Sequence, residues 1–200
     1  MSRSTPAAST NSHDLNSKMT TRAREELRLK YLPKSVQLLL VGESPPASGR
    51  FFYRQDSGLY RAVRDAFQTV DPKINDANFL ARFQAAGCYL IDLTGKPVDD
   101  LQPAARREAC RNGEPRLTQI ISQFQPATIL VLLRSIEPNV QRAATNAHWN
   151  GTLITTPYPG RWKHHRARFH EIVVPVLKDS QSKTVTSTRR LRRLTSSELP

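Results

Sequence analysis

The stretch VGESPPASGRFFY, residues 41–53, is the first part of the chain whose residue types could do chemistry, and it follows an apolar run directly. Gly42 lets the backbone turn sharply out of a sheet, and Pro45 with the proline after it stiffens the loop. Glu43 stands where the strand ends, so its carboxylate could orient a water molecule or accept a proton. The pattern predicts a rigid loop that carries a catalytic acid. The alternative is a capping or salt-bridged surface acid.

The same loop ends in three consecutive aromatic residues, Phe51, Phe52 and Tyr53. Aromatic rings next to a ligand-holding loop provide a surface on which a planar nucleobase can stack. The alternative is that Phe51 or Phe52 anchors the loop in the core, and we expect at least one of them to do so.

A second loop, TPYPGRWKHHRARFH, begins at Thr156 and runs into a helix. Prolines on both sides of Tyr158 predict another rigid turn. Basic side chains in the first turns of a helix oppose the helix dipole, so they cost stability unless they serve a ligand. Free amides at a helix start, together with those cations, are typical of a phosphate site.

The helical faces of this segment divide its residues into two groups. Helical spacing puts Arg161, His164 and Arg168 on one face and predicts a core stripe on another, made of Trp162, Phe169, Val173 and Val176. His164 is therefore better placed for function than His165. For His165, a packed, hydrogen-bonded position and a functional role are about equally expected. Two adjacent helical histidines diverge by about 100° and do not share a metal ion easily.

The elements that must position these loops follow from hydrophobic patterning. Four short apolar runs predict buried strands, at residues 36–42, 88–93, 128–133 and 151–157. Between and around them, apolar spacing predicts helices, at about residues 20–32, 57–67, 76–87, 103–124 with a break at NGEP, 138–147 and 161–178. Such alternation indicates a three-layer α/β/α fold with a central four-stranded parallel sheet.

Ligands bind at the carboxyl ends of the strands in parallel sheets of this kind. This rule selects the 42–53 loop, Asp92 with the loop after it, the 133–137 turn and the 155–165 segment. We expect any chemistry at that edge, with Asp92 as a second carboxylate beside Glu43.

Composition limits the kind of protein. The 200 residues suffice for one domain, and the net charge of +13 favours a polyanionic partner such as nucleic acid. We expect a disordered tail over residues 1–19, a folded domain over 20–178 and a basic disordered tail over 179–200.

No apolar run has the length of a membrane span, and the two cysteines, Cys88 and Cys110, look like reduced thiols that cannot form a four-cysteine zinc site.

The motifs GESPP after the first strand and TPYPG after the last resemble those of the uracil-DNA glycosylase superfamily, over roughly residues 36–178. Members of this superfamily have a four-stranded parallel sheet flanked by helices. Their first motif takes forms such as GEAPG and their second is usually HPSP. The resemblance implies an enzyme that hydrolyses the glycosidic bond of a base flipped out of DNA.

Carried over by position, the resemblance implies that Glu43 lies beside the glycosidic bond and that Phe51, Phe52 or Tyr53 stacks on the base. It also implies that residues 157–160 compress the DNA backbone and that the basic helix start grips phosphates. Together with the residue types themselves, this gives three groups of candidates. The catalytic candidates are Glu43, Asp92 and His164. The base-binding candidates are Gly42, Pro45, Phe51, Phe52, Tyr53, Thr156 and Tyr158. The candidates for gripping DNA phosphates are Gly160, Arg161, Lys163 and Arg168.

The sequence also departs from the family motifs. Thr156 stands in place of the histidine of the second motif, for which His164 or His165 could compensate, and Pro46 stands in place of a glycine. Asp92 occupies a region where many members have an asparagine. A carboxylate only accepts hydrogen bonds, so Asp92 suits a base with amino donors, or is itself catalytic.

Three functions remain open from the sequence. The first is a glycosylase-like hydrolase, and the second is a non-catalytic nucleic-acid-binding protein with the same fold. The third, an enzyme acting on free nucleotides, is disfavoured because a small ligand needs no extended basic surface. We expect DNA, single- or double-stranded, as the partner, no cofactor or metal, a monomeric state, and a cytoplasmic or nuclear location.

Overall fold

A computed structural model describes residues 19–160 and 162–195, with side chains described as far as residue 179. Residues 1–18, on which nearly all of the predicted N-terminal tail falls, Arg161 and residues 196–200 lie outside this description. The helices are α1 (Thr21–Lys30), α2 (Gly58–Val70), α3 (Phe79–Ala85), α4 (Pro103–Phe124), α5 (Glu137–Asn146) and α6 (Lys163–Thr195). The strands are β1 (Leu38–Gly42), β2 (Cys88–Asp92), β3 (Thr128–Val131) and β4 (Thr152–Thr155).

The four strands form one all-parallel sheet in the order β2-β1-β3-β4. Strands β1 and β2 are buried along their whole length, as continuous apolar runs in a covered parallel sheet should be. The predicted three-layer α/β/α fold with a four-stranded parallel sheet is confirmed.

The strand order determines where the loops separate. The chain leaves β1 towards β2 on one side, whereas from β2 to β3 and from β3 to β4 it moves in the opposite direction. Because such crossovers are right-handed, α2 and α3 lie on one face of the sheet, and α4 and α5 on the other. The loops after β1 and β3 therefore diverge, and this opens a crevice at the carboxyl edge.

The core on the α2 side is a cluster of aromatic rings around Phe52. Its ring lies 5.1–6.1 Å, centroid to centroid, from those of Tyr53, Tyr60, Phe79 and Phe83. The FFY triplet at the end of the first loop is thus a structural anchor, with each of its residues at most 3% exposed.

Tyr53 has a second role at the outer edge of the sheet. Strand β2 pairs with β1 on one side, and none of the other described strands pairs with it on the other side. The Tyr53 hydroxyl accepts a hydrogen bond from the Leu90 N–H at 2.8 Å and lies 3.1 Å from the Leu90 carbonyl, to which it donates. One side chain thereby satisfies both backbone groups that a further strand would have bound.

The break predicted at NGEP is wrong, because α4 is continuous from Pro103 to Phe124 with Pro115 inside it. A Cβ at Gly113 would stand 2.3 Å from the Leu93 carbonyl oxygen, so the helix packs directly on the backbone after β2. Glu114 on the same turn binds Arg142 and Asn139 of α5. These tertiary contacts outweigh the local preference of glycine and proline for a break.

The last helix begins two residues later than predicted and continues past residue 178, where the sequence predicts the folded domain to end. Of its predicted core stripe, Phe169 and Val173 are buried and Val176 is partly buried, but Trp162 is 57% exposed. The position of Trp162 just before the helix explains the error, since helical spacing does not apply there.

Among the described helices, none has a stretch long and apolar enough to cross a membrane.

We expect the Tyr53→Phe variant to lose about 1–3 kcal/mol of unfolding free energy, because two buried backbone groups of Leu90 lose their partner. Urea denaturation would measure the loss. Tyr60→Phe is the matched control, since its hydroxyl binds only partly buried partners and should cost less. Equal stability of wild type and Tyr53→Phe would contradict this role for the hydroxyl.

Candidate functional site

A cavity of about 250 Å³ lies in the crevice at the carboxyl edge of the sheet. Its walls include the first loop with residues 42–46 and 51–52, Asp92 at the end of β2, residues 132–133 after β3 and Tyr158 after β4. The remaining lining residues are Ser57, Leu59, Leu90, Asp99 and Arg106. The cavity is smaller than the roughly 300–1,000 Å³ typical of drug-sized ligands, so it suits one small planar group. All four places selected by the sequence contribute to it.

Glu43 projects into this cavity, with 11% of its side chain exposed. Arg106 Nε donates to Glu43 Oε1 at 2.7 Å and Arg106 Nη2 donates to Oε2, a bidentate pair. The backbone of Glu43 is also held, since its carbonyl accepts from Thr94 N at 2.9 Å and from Thr94 Oγ1 at 3.1 Å. The carboxylate therefore has a fixed orientation and is salt-bridged inside the cavity, not on the open surface.

Arg106 belongs to the site although the sequence does not predict it there. Together with its neighbour Arg107 it reads as part of a solvated helix face, and only 41% of its side chain is in fact exposed. Among the described residues that line the cavity, it is the only basic one. Its distance of 63 positions from Glu43 leaves no local signal by which the pair could be found.

Asp92 is 7% exposed and reaches the cavity from the neighbouring strand end. Its Oδ2 accepts from Arg28 Nη2 at 2.9 Å, and its backbone carbonyl accepts from Arg116 Nη1 at 3.0 Å. Burial raises the pKa of the Asp92 carboxyl, while the guanidinium of Arg28, followed by those of Arg116 and Arg24, acts in the opposite direction. The other oxygen, Oδ1, lies beside Gly42, where a Cβ would stand only 3.0 Å from it.

The arginines beneath Asp92 come from the inner face of α1. Arg24 and Arg28 are only 8% and 3% exposed, although arginines on a helix normally lie on its solvent face. Arg28 also binds Glu25 and lies over the Phe51 ring at 5.5 Å from its centroid. The i, i+4 spacing of the two arginines was the available signal, but their inward position is stable only because each finds a partner there. Arg28 binds the buried Asp92 carboxylate, and Arg24 binds the Met19 carbonyl and the Thr21 hydroxyl.

The three aromatic residues of the first loop separate into two kinds. Phe51 and Phe52 line the cavity and provide its apolar wall. Tyr53 is not among its lining residues, because the ring is packed in the core and the hydroxyl caps β2. The prediction that Tyr53 stacks on a ligand is therefore not supported.

The second loop also contributes less than the sequence predicts. Pro45 of the first loop and Tyr158 of the second line the cavity. Thr156 is fully buried, with its hydroxyl donating to the Val131 carbonyl at 3.3 Å, and it is not a lining residue. The Tyr158 ring folds over Gly160, where a Cβ would stand 2.2 Å from the ring, so only glycine allows this ring position.

The start of α6 lies outside the cavity lining. His164 is exposed, with its ring 6.3 Å from that of Trp162 and 4.4 Å from that of His165, and it does not line the cavity predicted to need it. Lys163 is exposed at the first helical position. Arg168 pairs with Glu171 at 2.9 Å, which reduces its availability for a phosphate.

A larger groove of about 750 Å³ lies at the opposite, amino edge of the sheet, between α3 and α6. Among the described residues that line it, only Lys34 and Asp179 are ionisable, and none of the predicted catalytic groups is present. The described part of the chain contains no cluster of three or more histidine, cysteine, aspartate or glutamate residues suited to a metal ion. The acid-lined cavity is therefore the candidate site.

No protein-family model matches the chain, and no curated protein matches it either. The resemblance to the uracil-DNA glycosylase superfamily therefore rests on the two loop motifs, and it stays a prediction.

The geometry around Glu43 can be checked through a neighbouring thiol. Cys110 Sγ lies 3.7 Å from Glu43 Oε1, and burial, followed by the charge of Glu43, raises the pKa of the Cys110 thiol to about 11. We expect Glu43→Gln to lower this pKa, so that alkylation of Cys110 becomes faster at a given pH below 11. Iodoacetamide labelling across a pH series, with mass spectrometry of the Cys110 peptide, would measure the shift.

Asp99→Asn provides the matched control, because Asp99 lines the same cavity but is not a cause of the raised Cys110 pKa. An unchanged alkylation profile in Glu43→Gln, equal to that of Asp99→Asn, would show that Glu43 does not lie against the thiol.

Proposed function

We propose that this protein is a DNA glycosylase-like hydrolase that accepts one base, flipped out of the DNA, into the cavity at the carboxyl edge of the sheet. The observation that carries the proposal is the convergence of Glu43, Asp92 and Tyr158 on one cavity of about 250 Å³. Two carboxylates, one aromatic ring at the mouth and apolar walls are the groups needed to hold a planar base and act on its sugar bond.

The charge of the chain supports a nucleic-acid partner. A net charge of +13 provides attraction to phosphates along an extended surface. The cavity itself is acidic: apart from Tyr158, four ionisable side chains line it, and three of them are the acids Glu43, Asp92 and Asp99. This separation favours a ligand whose anionic backbone stays outside while a base enters. A free nucleotide would have to bring its phosphates close to those acids.

In the proposed reaction, the bond between the base nitrogen and the sugar C1′ breaks, and the base leaves with the electron pair. Positive charge develops on the sugar, and the Glu43 carboxylate stabilises it and orients a water molecule. The water oxygen bonds to C1′ and one of its protons passes to solvent, while the departing base nitrogen takes up a proton from solvent, so the products are the free base and an abasic sugar. Arg106 fixes Glu43 in this orientation, which removes the need to reorganise during the reaction.

Asp92 acts on the base in this proposal. Oδ2 is already engaged by Arg28, so Oδ1 beside Gly42 is the oxygen that accepts a hydrogen bond from the base edge. Phe51 and Phe52 form the apolar wall against which the base packs. Because a carboxylate only accepts, a base with an N–H or amino group facing Asp92 fits best.

We expect Glu43→Gln to abolish excision while DNA affinity stays nearly unchanged, because the charge that stabilises the sugar cation is lost but the phosphate contacts remain. Purified wild type and variant would be incubated with labelled single- and double-stranded DNA that contains uracil, hypoxanthine or xanthine, and alkali would reveal abasic sites. Asp99→Asn, another acid of the cavity wall, controls for a general loss of charge. Normal cleavage by Glu43→Gln would show that the catalytic role is wrongly assigned.

A second function, a nucleic-acid-binding protein without excision, is favoured by one specific observation. Arg106 occupies both carboxylate oxygens of Glu43, and neither Thr156 nor His164 enters the cavity to assist a departing base. Salt-sensitive DNA binding by wild type with no cleavage of any of the three bases would favour this function.

Both functions predict the same response when the basic charges at positions 161 and 163 are removed. Replacing Arg161 and Lys163 with glutamine should weaken binding to all DNA sequences. The salt dependence should become flatter by about one unit of log–log slope for each phosphate that the variant no longer neutralises. Fluorescence anisotropy of labelled DNA across a salt series measures the slope. An unchanged slope would show that these side chains do not bind phosphates.

A further inference from the structure

Trp162 is a large aromatic side chain that neither the core nor the cavity uses. It is 57% exposed and stands between the β4 loop and α6, four residues after Tyr158. Tyr158, at the mouth of the cavity, is itself 42% exposed. An exposed tryptophan gives up much of the burial that normally stabilises an indole, and tryptophan is enriched at surfaces where a ring meets a partner.

Helix stability does not explain Trp162. Its carbonyl accepts the first hydrogen bond of α6, from Arg166 N at 3.1 Å, so Trp162 occupies the N-cap position. Serine, threonine, aspartate and asparagine are preferred there because their side-chain oxygens accept bonds from the first amides. An indole offers no such acceptor.

The residues around the ring are basic. The His164 ring is stacked near the indole, with ring centroids 6.3 Å apart and an angle of 30° between the planes. Arg166 Nη2 donates to the Gly160 carbonyl at 3.4 Å, which ties the first turn of the helix back to the loop. Lys163, His164 and Arg166, the basic residues that follow Trp162 in the chain, are all exposed.

We propose that Trp162, with His164 stacked beside it, is a platform on which unpaired bases of a single-stranded nucleic acid stack. Exposed aromatic faces flanked by cations are the combination that binds single strands, because the rings take the bases and the cations take the phosphates. In a duplex the faces of the bases are covered by their neighbours, so an exposed ring gains much less. This inference rests on the nucleic-acid partner of the proposed function but not on base excision.

The platform should contribute strongly to the affinity for single strands and little to the affinity for duplexes. We expect Trp162→Ala to bind a single-stranded oligonucleotide about 5- to 150-fold more weakly, the effect of losing one stacked base. Trp162→Phe should retain most of the affinity because it keeps a ring, and duplex affinity should change little. Leu29→Ala, which removes a 58% exposed apolar side chain from α1, is the control for loss of surface apolar area.

Fluorescence gives a direct reading of the stacking, because the chain has only two tryptophans. The other one, Trp149, is partly buried with its Nε1 donating to the Pro126 carbonyl at 2.6 Å. In a Trp149→Phe variant, emission from Trp162 should be quenched when single-stranded DNA binds. Oligonucleotides of single-stranded RNA, tested in parallel, distinguish the two sources of unpaired bases.

Each outcome separates this inference from the proposed function. Normal single-strand affinity in Trp162→Ala, with no quenching in Trp149→Phe, would overturn the platform alone. An equal loss of affinity for duplex and single strand would overturn the single-strand preference. If wild type binds no nucleic acid in a salt-sensitive way, both the platform and the proposed partner are wrong.

Discussion

The buried pair between Arg28 and Asp92 joins the first helix, the end of β2 and the first loop, and the rest of the site is built on that junction. Two charged groups, each less than a tenth exposed, join the inner face of α1 to the end of β2 at 2.9 Å. Burial of two charges is costly, and it is tolerated only when each finds a partner. Arg28 provides it for Asp92 and also covers Phe51, so one side chain holds the strand end, the first loop and the first helix together.

A second constraint is the strand order, which places the loops after β1 and β3 on opposite faces and so creates the crevice. The cavity is the space that remains after these loops, Asp92 and Tyr158 have been fixed. Several hydrogen bonds hold the residues of the cavity wall in place. Thr94 binds the Glu43 backbone, Arg106 binds the Glu43 carboxylate, and Asp99 accepts a hydrogen bond from Ala47 N at 2.7 Å. A site with so few free rotations is suited to recognise one rigid group rather than many flexible ones.

The same physical reasoning explains which roles shifted between sequence and structure. The FFY triplet has the residue types of a stacking surface. Tyr53 is nevertheless buried, because its ring fills aromatic volume in the core and its hydroxyl binds the backbone of Leu90 on β2. Conversely, the position of Trp162 before the first helical turn removed it from the core stripe to which its spacing assigned it. An aromatic residue has the same sequence signature whether it is a core residue or an exposed stacking surface. Its neighbours in the folded protein decide which of the two it is.

Local patterns in the chain were sufficient to predict the α/β class, the four parallel strands, the edge at which the loops gather and the acids Glu43 and Asp92 at two strand ends. Those patterns are continuous apolar runs, helical spacing, and glycine and proline after a strand. Other features emerged only in the folded protein: α4 continues through Pro115, Arg24 and Arg28 turn inward, Thr156 is buried against Val131 and Arg106 binds Glu43. The reason is physical, since each of these depends on a partner far away in the chain, and a charge or a helix breaker becomes stable only when that partner is in place.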